Sequence, residues 1–242
     1  MVATNPLLIF MIIITGASRG IGKAVAELYL SKGRQVLGIG RTTTIEHKNY
    51  SHLFCDLSSA SEVEELSFPE MAEDIVFIHN AGVLGEIGRF TDLENTSHSE
   101  VMQVNFSSGM EIFYKIAARS NQQEFTCVFI SSGAGKRPIA SWASYCASKA
   151  AVDLFLETVQ AEENEKENSK LRVYSFSPGV VDTAMQEKIR KAGQEDFSAV
   201  ERFKGLHANG DLLPPEEVAE KLSQLIHMRP LDKVLWTVGE IG

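Results

Sequence analysis

Tyr145 and Lys149 stand four residues apart in the segment Tyr145-Cys146-Ala147-Ser148-Lys149. On a helix, residues at this spacing share one face, so the phenol and the ammonium would lie side by side. A neighbouring cation favours the phenolate, and the spacing therefore predicts a tyrosine whose pKa is lowered toward the range that acid–base catalysis uses. From these residues alone, an ordinary surface pair on a helix is the alternative.

Ser132 follows the apolar run Cys127–Ser131, which has the length of a buried strand. The carboxyl ends of parallel strands face the ligand crevice, so the Ser132 hydroxyl is placed to polarise a substrate carbonyl. A serine that only begins a turn is the alternative. Together with Tyr145 and Lys149, this hydroxyl indicates proton transfer at a carbonyl or alcohol oxygen.

A glycine-rich turn, Thr15-Gly16-Ala17-Ser18-Arg19-Gly20-Ile21-Gly22, connects an apolar run to an amphipathic one. Gly16 would permit a tight turn, Gly20 would let a pyrophosphate approach the backbone, and Gly22 would allow close helix–sheet packing. The helix N-terminus that follows offers free N–H groups to phosphates. The turn therefore predicts a dinucleotide-binding site, although any tight strand–helix connection also uses glycine.

The choice of dinucleotide depends on the end of the second predicted strand. Enzymes that bind NAD usually carry an acid there, which holds the ribose 2′-hydroxyl. This chain has Ile39-Gly40-Arg41-Thr42 instead. Arg41, with Arg19 from the glycine turn, is suited to pair with a 2′-phosphate. The sequence therefore favours NADP(H), with two ordinary surface arginines as the alternative.

The elements that must position these residues are apolar runs of strand length alternating with helix-like segments. Strands are expected at Met11–Thr15, Gln35–Gly40, His52–Cys55, Ile75–His79, Thr126–Ser131, Arg172–Ser177 and Val234–Val238. Helices are expected at Gly20–Lys32, Ser97–Arg119, Trp142–Glu163 and Pro215–His227, with a short one at Ser61–Leu66 before Pro69. The pattern predicts a single α/β domain over residues 1–242, a doubly wound Rossmann-type fold. Its parallel sheet would have about seven strands, with helices on both faces.

The composition of the chain indicates which binding partners and which cellular compartment to expect. The 242 residues are 44% hydrophobic and carry a formal charge of −9, which argues against nucleic acid because phosphate contacts need clustered Lys and Arg. The sequence has no basic amphipathic stretch of the kind that binds a membrane surface. Three cysteines without CxxC or metal-ligand spacing indicate reduced thiols, so we expect a cytoplasmic protein with no metal site.

The N-terminal apolar run Leu7–Ile14 is too short to span a bilayer. The first basic residue is Arg19, so the run is interpreted as a strand rather than as part of a signal peptide. Met11 can itself serve as a start, which would make residues 1–10 an N-terminal extension.

Taken together, the motifs resemble those of the short-chain dehydrogenase/reductase family over essentially the whole chain. The resemblance is carried by TGASRGIG at 15–22, Asp56-Leu57, Asn80-Ala81-Gly82, Asn105, Ser131-Ser132, YCASK at 145–149 and Pro178-Gly179. These motifs occur in the family's order and at its spacing. One departure is His79, where the family often has asparagine, and we interpret it as a packed strand-end residue rather than a catalytic group.

The resemblance implies that Tyr145 is the general acid in reduction and that Lys149 relays the proton and binds the nicotinamide ribose. It implies that Ser132 holds the substrate carbonyl oxygen. Asn105 would kink a helix and anchor a water of the proton relay. The implied cofactor-binding set is Gly16, Ser18, Arg19, Gly20, Ile21, Gly22, Arg41, Asp56, Leu57, Asn80, Ala81, Gly82, Tyr145, Lys149, Pro178, Gly179, Val181 and Thr183.

A narrower resemblance links residues 177–186, and the pattern from Phe203 to Leu213, to sepiapterin reductases and bacterial benzil reductases. In the family this part of the chain, here residues 183–213, is a mobile flap over the substrate. The substrate-binding set expected from it is Ser132, Trp142, Tyr145, Met185 and Phe203. Such a pocket would be apolar and would offer no obvious charge to an acidic substrate.

These observations predict an NADPH-dependent carbonyl reductase for small apolar or aromatic ketones and diketones. Sepiapterin reductases carry a carboxylate near the C-terminus to hold the pterin, whereas this chain places Thr237 there. A pterin reductase is therefore the second candidate. A regulator that binds a dinucleotide without catalysis is the candidate from another class. Such proteins usually lack a catalytic residue, whereas this chain has all of them.

The predicted helix Trp142–Glu163 carries more apolar residues than one buried face requires. Ala143, Ala147, Ala150, Ala151, Leu154 and Phe155 lie on one broad side of it, with Val152 and Leu156 off that side. One face must cover the sheet, and small residues on the other would let a second helix approach. The family resemblance also implies a homodimer through this helix and 105–119, with a tetramer as a further possibility.

Overall fold

A parallel sheet forms the centre of the computed structural model, which describes residues 10–68, 74–93, 95–120, 124–231 and 233–242. Its strands are β1 (Phe10–Thr15), β2 (Val36–Gly40), β3 (Tyr50–Phe54), β4 (Asp74–His79), β5 (Phe125–Ile130), β6 (Leu171–Ser177) and β7 (Leu235–Thr237). Their spatial order is β3-β2-β1-β4-β5-β6-β7, and all neighbouring pairs are parallel. The predicted single α/β domain with a seven-stranded parallel sheet is confirmed.

Helices connect the strands and cover the sheet. They are α1 (Gly20–Ser31), α2 (Ala60–Glu65), α3 (Asn95–Met102), α4 (Ser108–Ala117), α5 (Ala143–Asn164), α6 (Ala184–Arg190), α7 (Val200–Ala208) and α8 (Pro215–Met228). A π-helical turn, Gln103–Ser107, joins α3 to α4. Short 3₁₀ turns lie at Phe90–Asp92, Gly133–Gly135 and Val238–Glu240.

Alternate residues of each central strand enter two separate cores, because successive side chains of a strand point to opposite faces. Ile12 and Ile14 of β1 belong to the core under α1 and α8. Ile13, between them, belongs to the core under α4 and α5. All three side chains are fully buried, which explains why the strand appears in the sequence as a continuous apolar run.

The observed element boundaries differ from the predicted ones in a few places. β3 runs from Tyr50 to Phe54 instead of from His52 to Cys55, because its pairing with β2 begins at Val36 and Tyr50. The predicted helix Ser97–Arg119 is interrupted by the π-helical turn, which propensity alone does not indicate. The short helix before Pro69 is present as α2. Pro69 itself and residues 1–9 of the predicted extension lie outside the described residues.

Helix α5 divides its faces differently from the prediction at one residue. Val152 and Leu156 cover the sheet as expected, and Leu154 is 67% exposed. Phe155 was grouped with the outward side, but it packs edge-on against Phe113 of α4, with ring centroids 6.2 Å apart. Phe155 also contacts Phe106 and Phe129, and helical spacing alone does not reveal these tertiary contacts.

No helix among the described residues is long and apolar enough to cross a membrane.

Candidate active site

The predicted site residues gather along one edge of the sheet, because parallel strands all end there. The strand order changes direction between β1 and β4, and ligands of open α/β sheets bind at such a switch point. The segments that follow the strands there are the glycine turn after β1, Arg41 after β2, Asp56 after β3, Asn80–Gly82 after β4, Ser132 after β5 and Pro178-Gly179 after β6. Tertiary structure therefore brings together motifs that are far apart in the chain.

The glycine turn has a backbone that side chains would disturb. Gly16 and Gly20 have φ values of 70° and 54°, in the left-handed region that favours glycine. A Cβ at Gly22 would lie 2.3 Å from both the Gly16 carbonyl oxygen and Asn80 Nδ2, so close packing excludes a side chain there. Arg19, the N-cap of α1, makes no side-chain capping bond, and the first N–H groups of α1 remain available. This geometry fits the pyrophosphate of a dinucleotide.

The loop after β4 forms hydrogen bonds with the glycine turn and with the end of β1. Asn80 Nδ2 donates to the carbonyls of Thr15, at 3.1 Å, and of Gly16, at 3.0 Å. The backbone N–H groups of Asn80 and Ala81 both donate to Thr15 Oγ1, at 3.1 and 3.0 Å. Asn80 therefore holds the phosphate-binding turn in shape through its side chain.

His79 is a buried structural group, in agreement with the sequence interpretation. Thr15 Oγ1 already accepts two N–H donors, so its own proton goes to His79 Nδ1, 3.0 Å away. His79 Nε2 then donates to the Val104 carbonyl at 3.0 Å. Burial, reinforced by the charge of Lys149, lowers the pKa of His79 to about 3 and keeps the ring neutral.

Asn105 lies in the π-helical turn and is fully buried. Its Oδ1 accepts from the Val83 N–H at 2.7 Å, and its Nδ2 donates to the Val83 carbonyl at 2.9 Å and to Ser148 Oγ at 3.0 Å. Ser148 in turn donates to the Tyr145 carbonyl at 2.8 Å. The side-chain amide of Asn105 thus joins the loop after β4 to α5.

Ser132, Tyr145 and Lys149 meet where β5 and α5 approach each other. Ser132 lies close enough to the Tyr145 phenol to lower the pKa of that group, and its hydroxyl accepts the Ala134 N–H at 3.2 Å. Lys149 Nζ donates to the Ile130 carbonyl at 2.8 Å and lies 5.7 Å from the centroid of the Tyr145 ring. Tyr145 is 7% exposed and Lys149 is 4% exposed, so their ionisation is governed by a water-poor surrounding.

The pKa of Tyr145 departs from the sequence prediction. Burial raises it to about 12, against which the hydrogen bond with Ser132 acts only in part. The prediction of a lowered value was wrong, because desolvation raises the pKa of the phenol by more than its neighbours lower it. Burial also lowers the pKa of Lys149 to about 8, while the carboxylate of Asp153 acts in the opposite direction.

At the far end of the crevice, Arg41 and Asp56 lie beside each other. Arg41 Nη1 is 3.8 Å from Asp56 Oδ2, and the Arg41 side chain is 68% exposed. Hydrogen bonds from the Ser58 backbone and hydroxyl, followed by the charge of Arg41, lower the pKa of Asp56. Arg19 is also exposed, whereas the Leu57 side chain is buried in the core under α4 and α5.

Residues after β6 border the crevice on its other side. Gly179 has a φ of 76°, and Val181 pairs with Leu213 through an isolated parallel bridge. A Cβ at Gly20 would lie 3.3 Å from Thr183 Cγ2, so Thr183 lies directly opposite the phosphate-binding turn. The remaining residues of the predicted cofactor set, Ser18 and Ile21, are half-buried in or beside that turn.

The predicted substrate residues form an aromatic cluster beside Tyr145. Trp142 meets the Tyr145 ring edge-on at 5.8 Å and stacks on Phe197 at 5.1 Å. Phe203 lies 5.4 Å from Trp142, and Met185 packs against the same cluster. Phe197 was not singled out in the sequence, since a lone phenylalanine in a polar segment gives no periodic signal.

Two cavities adjoin this cluster. A small one of about 10 Å³ is lined by Trp142 and Tyr145, and it shares Gly85 and Glu86 with a larger one of about 410 Å³. The larger cavity is also lined by charged residues, which are Glu100, Lys188, Lys191 and Asp196. None of the predicted substrate residues lines the larger cavity, so the expectation of an apolar substrate pocket stays a prediction.

No group of three or more His, Cys, Asp or Glu side chains among the described residues could hold a metal ion.

A parallel sheet with a glycine turn and a Ser–Tyr–Lys cluster along the edge where its strands end defines an oxidoreductase of the dinucleotide-binding class. The chain belongs to the short-chain dehydrogenase family, whose model matches residues 11–194. Members of this family bind a nicotinamide dinucleotide and act on carbonyl or alcohol groups.

Similar proteins of known activity indicate the branch of the family to which this chain is related. A benzil reductase ((S)-benzoin forming) from Bacillus subtilis is 36% identical over 225 residues, which cover 88% of this chain and 92% of that protein. A sepiapterin reductase from Rattus norvegicus is 29% identical over 241 residues, which cover 88% and 90%. The solved structure of the KRED1-Pglu enzyme has a TM-score of 0.78 at 28% identity, covering 89% of this chain and 94% of that one. The predicted resemblance to the benzil and sepiapterin reductase branch is confirmed.

Proposed function

We propose that this chain is an NADPH-dependent carbonyl reductase for small aromatic or apolar ketones, with vicinal diketones among its better substrates. The observation that carries the proposal is the gathering of Ser132, the Tyr145 phenol and the buried ammonium of Lys149 at one place between β5 and α5. This cluster lies at the sheet edge that also carries the phosphate-binding turn. Similarity to benzil reductases supports the same reaction class.

Each residue of the cluster has a definite part in this reaction. Tyr145 is protonated at neutral pH because burial raises its pKa to about 12, so it begins reduction as an acid. Ser132 can donate a hydrogen bond to the substrate carbonyl oxygen and polarise it. When bound, the reduced nicotinamide supplies the hydride. Tyr145 then gives its proton to the oxygen on which negative charge develops, and the ammonium of Lys149 stabilises the phenolate left behind.

The preference for NADPH is inferred from charge at the end of β2. Arg41 after β2 and Arg19 in the glycine turn are exposed cations that could pair with a 2′-phosphate. No acid follows β2 directly, and the nearby acid, Asp56, comes from the end of β3 and pairs with Arg41. A 2′-phosphate would bond Arg41 in competition with Asp56, which limits the gain in affinity.

The substrate class is inferred from the aromatic cluster of Trp142, Phe197 and Phe203 beside Tyr145. An aryl ketone would gain about 25 cal/mol for each Å² of apolar area that it buries there. A pterin is the second candidate, because sepiapterin reductases are among the relatives. Its amino group would meet Thr237, whose hydroxyl already donates to Glu240 at 2.9 Å.

A homodimer and a cytoplasmic location complete the proposal. The outward sides of α4 and α5 expose Tyr114 and Leu154, at 70% and 67%. Ala143, Ala147 and Ala150 are exposed on α5 and would let a second copy approach closely. All three cysteines are free thiols, which agrees with a reducing compartment.

The test is a comparison of kcat/KM with NADPH for a phenyl diketone, sepiapterin and an acetoacetyl thioester. We expect the diketone to exceed the other two by about tenfold or more, a difference of the size that pocket contacts produce. Tyr145→Phe is the control: it should bind NADPH normally and lose about 10²–10⁴-fold in turnover.

The outcomes separate the candidates. If sepiapterin or the thioester exceeds the diketone, the substrate assignment is wrong, while the mechanism stands. Near-native turnover by Tyr145→Phe would refute the mechanism. Cofactor binding without turnover of any substrate would favour the regulator.

A further inference from the structure

Asp153 is a buried carboxylate close to the active site that the proposed mechanism does not use. It follows Lys149 by one helical turn and Tyr145 by two, so the three residues lie along one face of α5. Asp153 is 6% exposed. Acidic side chains are almost never fully buried unless another group compensates their charge, so the position requires a physical explanation.

Only one of the two oxygens of the Asp153 carboxylate has a hydrogen-bond partner. Ser175 Oγ on β6 donates to Asp153 Oδ1 at 2.5 Å, and Ser175 is itself 2% exposed. Asp153 Oδ2 is buried and has no hydrogen-bond partner among the described residues. One neutral hydroxyl does not compensate a full negative charge in a water-poor surrounding.

The turn that follows Ser132 closes over the other oxygen. A Cβ at Gly135 would lie 3.0 Å from Asp153 Oδ2 and 2.9 Å from the Lys149 carbonyl carbon and oxygen. The turn therefore packs directly on the segment of α5 between Lys149 and Asp153. The carboxylate is enclosed by α5, β6 and this turn, where charges interact more strongly than in water.

Lys149 is the cation whose charge matches this carboxylate. Asp153 follows Lys149 by one helical turn, and although the two side chains form no ion pair among the described residues, the charge of the carboxylate acts on the ammonium through a water-poor surrounding. The other titratable groups around Lys149 in the described structure are Tyr145 on α5 and His79 on β4. Tyr145 is protonated and His79 is neutral at physiological pH, so neither supplies an anion.

We propose that Asp153 is a positioning residue, whose buried carboxylate keeps Lys149 charged and bonded to the Ile130 carbonyl at the active site. The inference rests on the proposed function of this site. Burial by itself lowers the pKa of Lys149, and Asp153 raises it again to about 8, so loss of the carboxylate would lower this pKa further and leave Lys149 largely neutral at pH 8. Ser175 would serve to fix the direction of the carboxylate.

The experiment follows the titration of Lys149 by NMR of ¹³Cε-labelled lysine in the protein without cofactor, with Lys149→Met assigning the signal. Asp153→Asn keeps the size of the side chain and can still accept from Ser175, so it removes only the charge. We expect it to lower the Lys149 midpoint by about one pH unit. Ser175→Ala, which keeps the charge, is the matched control and should shift the midpoint less.

Activity provides the second readout. The pH at which kcat/KM begins to fall on the alkaline side should move down with the Lys149 midpoint in Asp153→Asn. In the wild-type protein, the ¹³Cγ signal of Asp153 should also inflect at the Lys149 midpoint, a measurement that does not depend on any variant folding. An unchanged midpoint in Asp153→Asn, or no such inflection, would overturn the inference. A shifted midpoint in a protein without reductase activity would uphold the charge coupling and reject the proposed function instead.

Discussion

At the scale of single residues, spacing indicated which groups meet, but burial determined how they ionise. Tyr145 and Lys149 share a helix face, as the interval of four residues predicted. The pKa of Tyr145 nevertheless rises to about 12, because desolvation outweighs any nearby cation. A protonated tyrosine suits reduction, where the acid must start with its proton.

Arg41 allows a test of cofactor choice at this scale. Arg41→Ala should lower kcat/KM for NADPH by about tenfold and leave the value for NADH nearly unchanged, because only NADPH carries the 2′-phosphate. We expect about tenfold rather than a hundredfold, since Arg41 is 68% exposed and pairs with Asp56. Arg119→Ala, an exposed arginine after α4, is the control. An unchanged NADPH/NADH ratio in Arg41→Ala would reject the 2′-phosphate assignment.

At the scale of elements, the site depends on two irregular pieces of backbone. The glycine turn opens α1 with left-handed residues. The π-helical turn places the Asn105 amide against Val83 and Ser148. Such π turns are often found at functional sites. Glycine spacing predicted the first piece, whereas only the resemblance to the family suggested a kink at the second.

Gly22→Ala tests the glycine turn against a matched glycine. The new Cβ would lie 2.3 Å from the Gly16 carbonyl oxygen, so the turn must shift. We expect a loss of about 1–3 kcal/mol in the free energy of unfolding and weaker NADPH binding. Gly205→Ala in α7 meets nothing within 4 Å and should raise that free energy by about 0.5–1 kcal/mol. Thermal unfolding and cofactor fluorescence titration would measure both, and native cofactor affinity in Gly22→Ala would contradict the close packing.

At the scale of the whole molecule, α4 and α5 cover the same face of the sheet and share the core beneath them. Their inner residues, such as Ile112 and Val152, are fully buried. Their outer sides expose Tyr114 and Leu154, large apolar side chains that water would solvate poorly. This surface is the one that we propose a second copy covers.

Leu154→Glu should therefore convert the dimer to a monomer at micromolar concentration, because it places a charge in an apolar interface. Leu231→Glu is the matched control: Leu231 is 66% exposed, close to the 67% of Leu154, but lies beyond α8. Light scattering would measure the mass of both variants and the wild type. A monomeric wild type, or a dimer that survives Leu154→Glu, would reject this interface.

The sequence by itself predicted the order of the seven strands and the candidate residues that the fold gathers along one edge of the sheet. Strands buried on both faces must be continuous apolar runs, and Ile12–Ile14 could take no other place in the fold. Glycine spacing and the Tyr145–Lys149 interval are local properties, so they can be recognised without knowing what surrounds them.

Only the tertiary structure decided the properties that depend on neighbours distant in the chain. The raised pKa of Tyr145 follows from burial, and the protonated nitrogen of His79 follows from the donors that already occupy Thr15. The burial of Asp153 Oδ2 follows from the contact of Gly135 with α5. Folding brings together the groups that bury a side chain or compete for its hydrogen bonds. The spacing of residues along the chain therefore does not predict these properties.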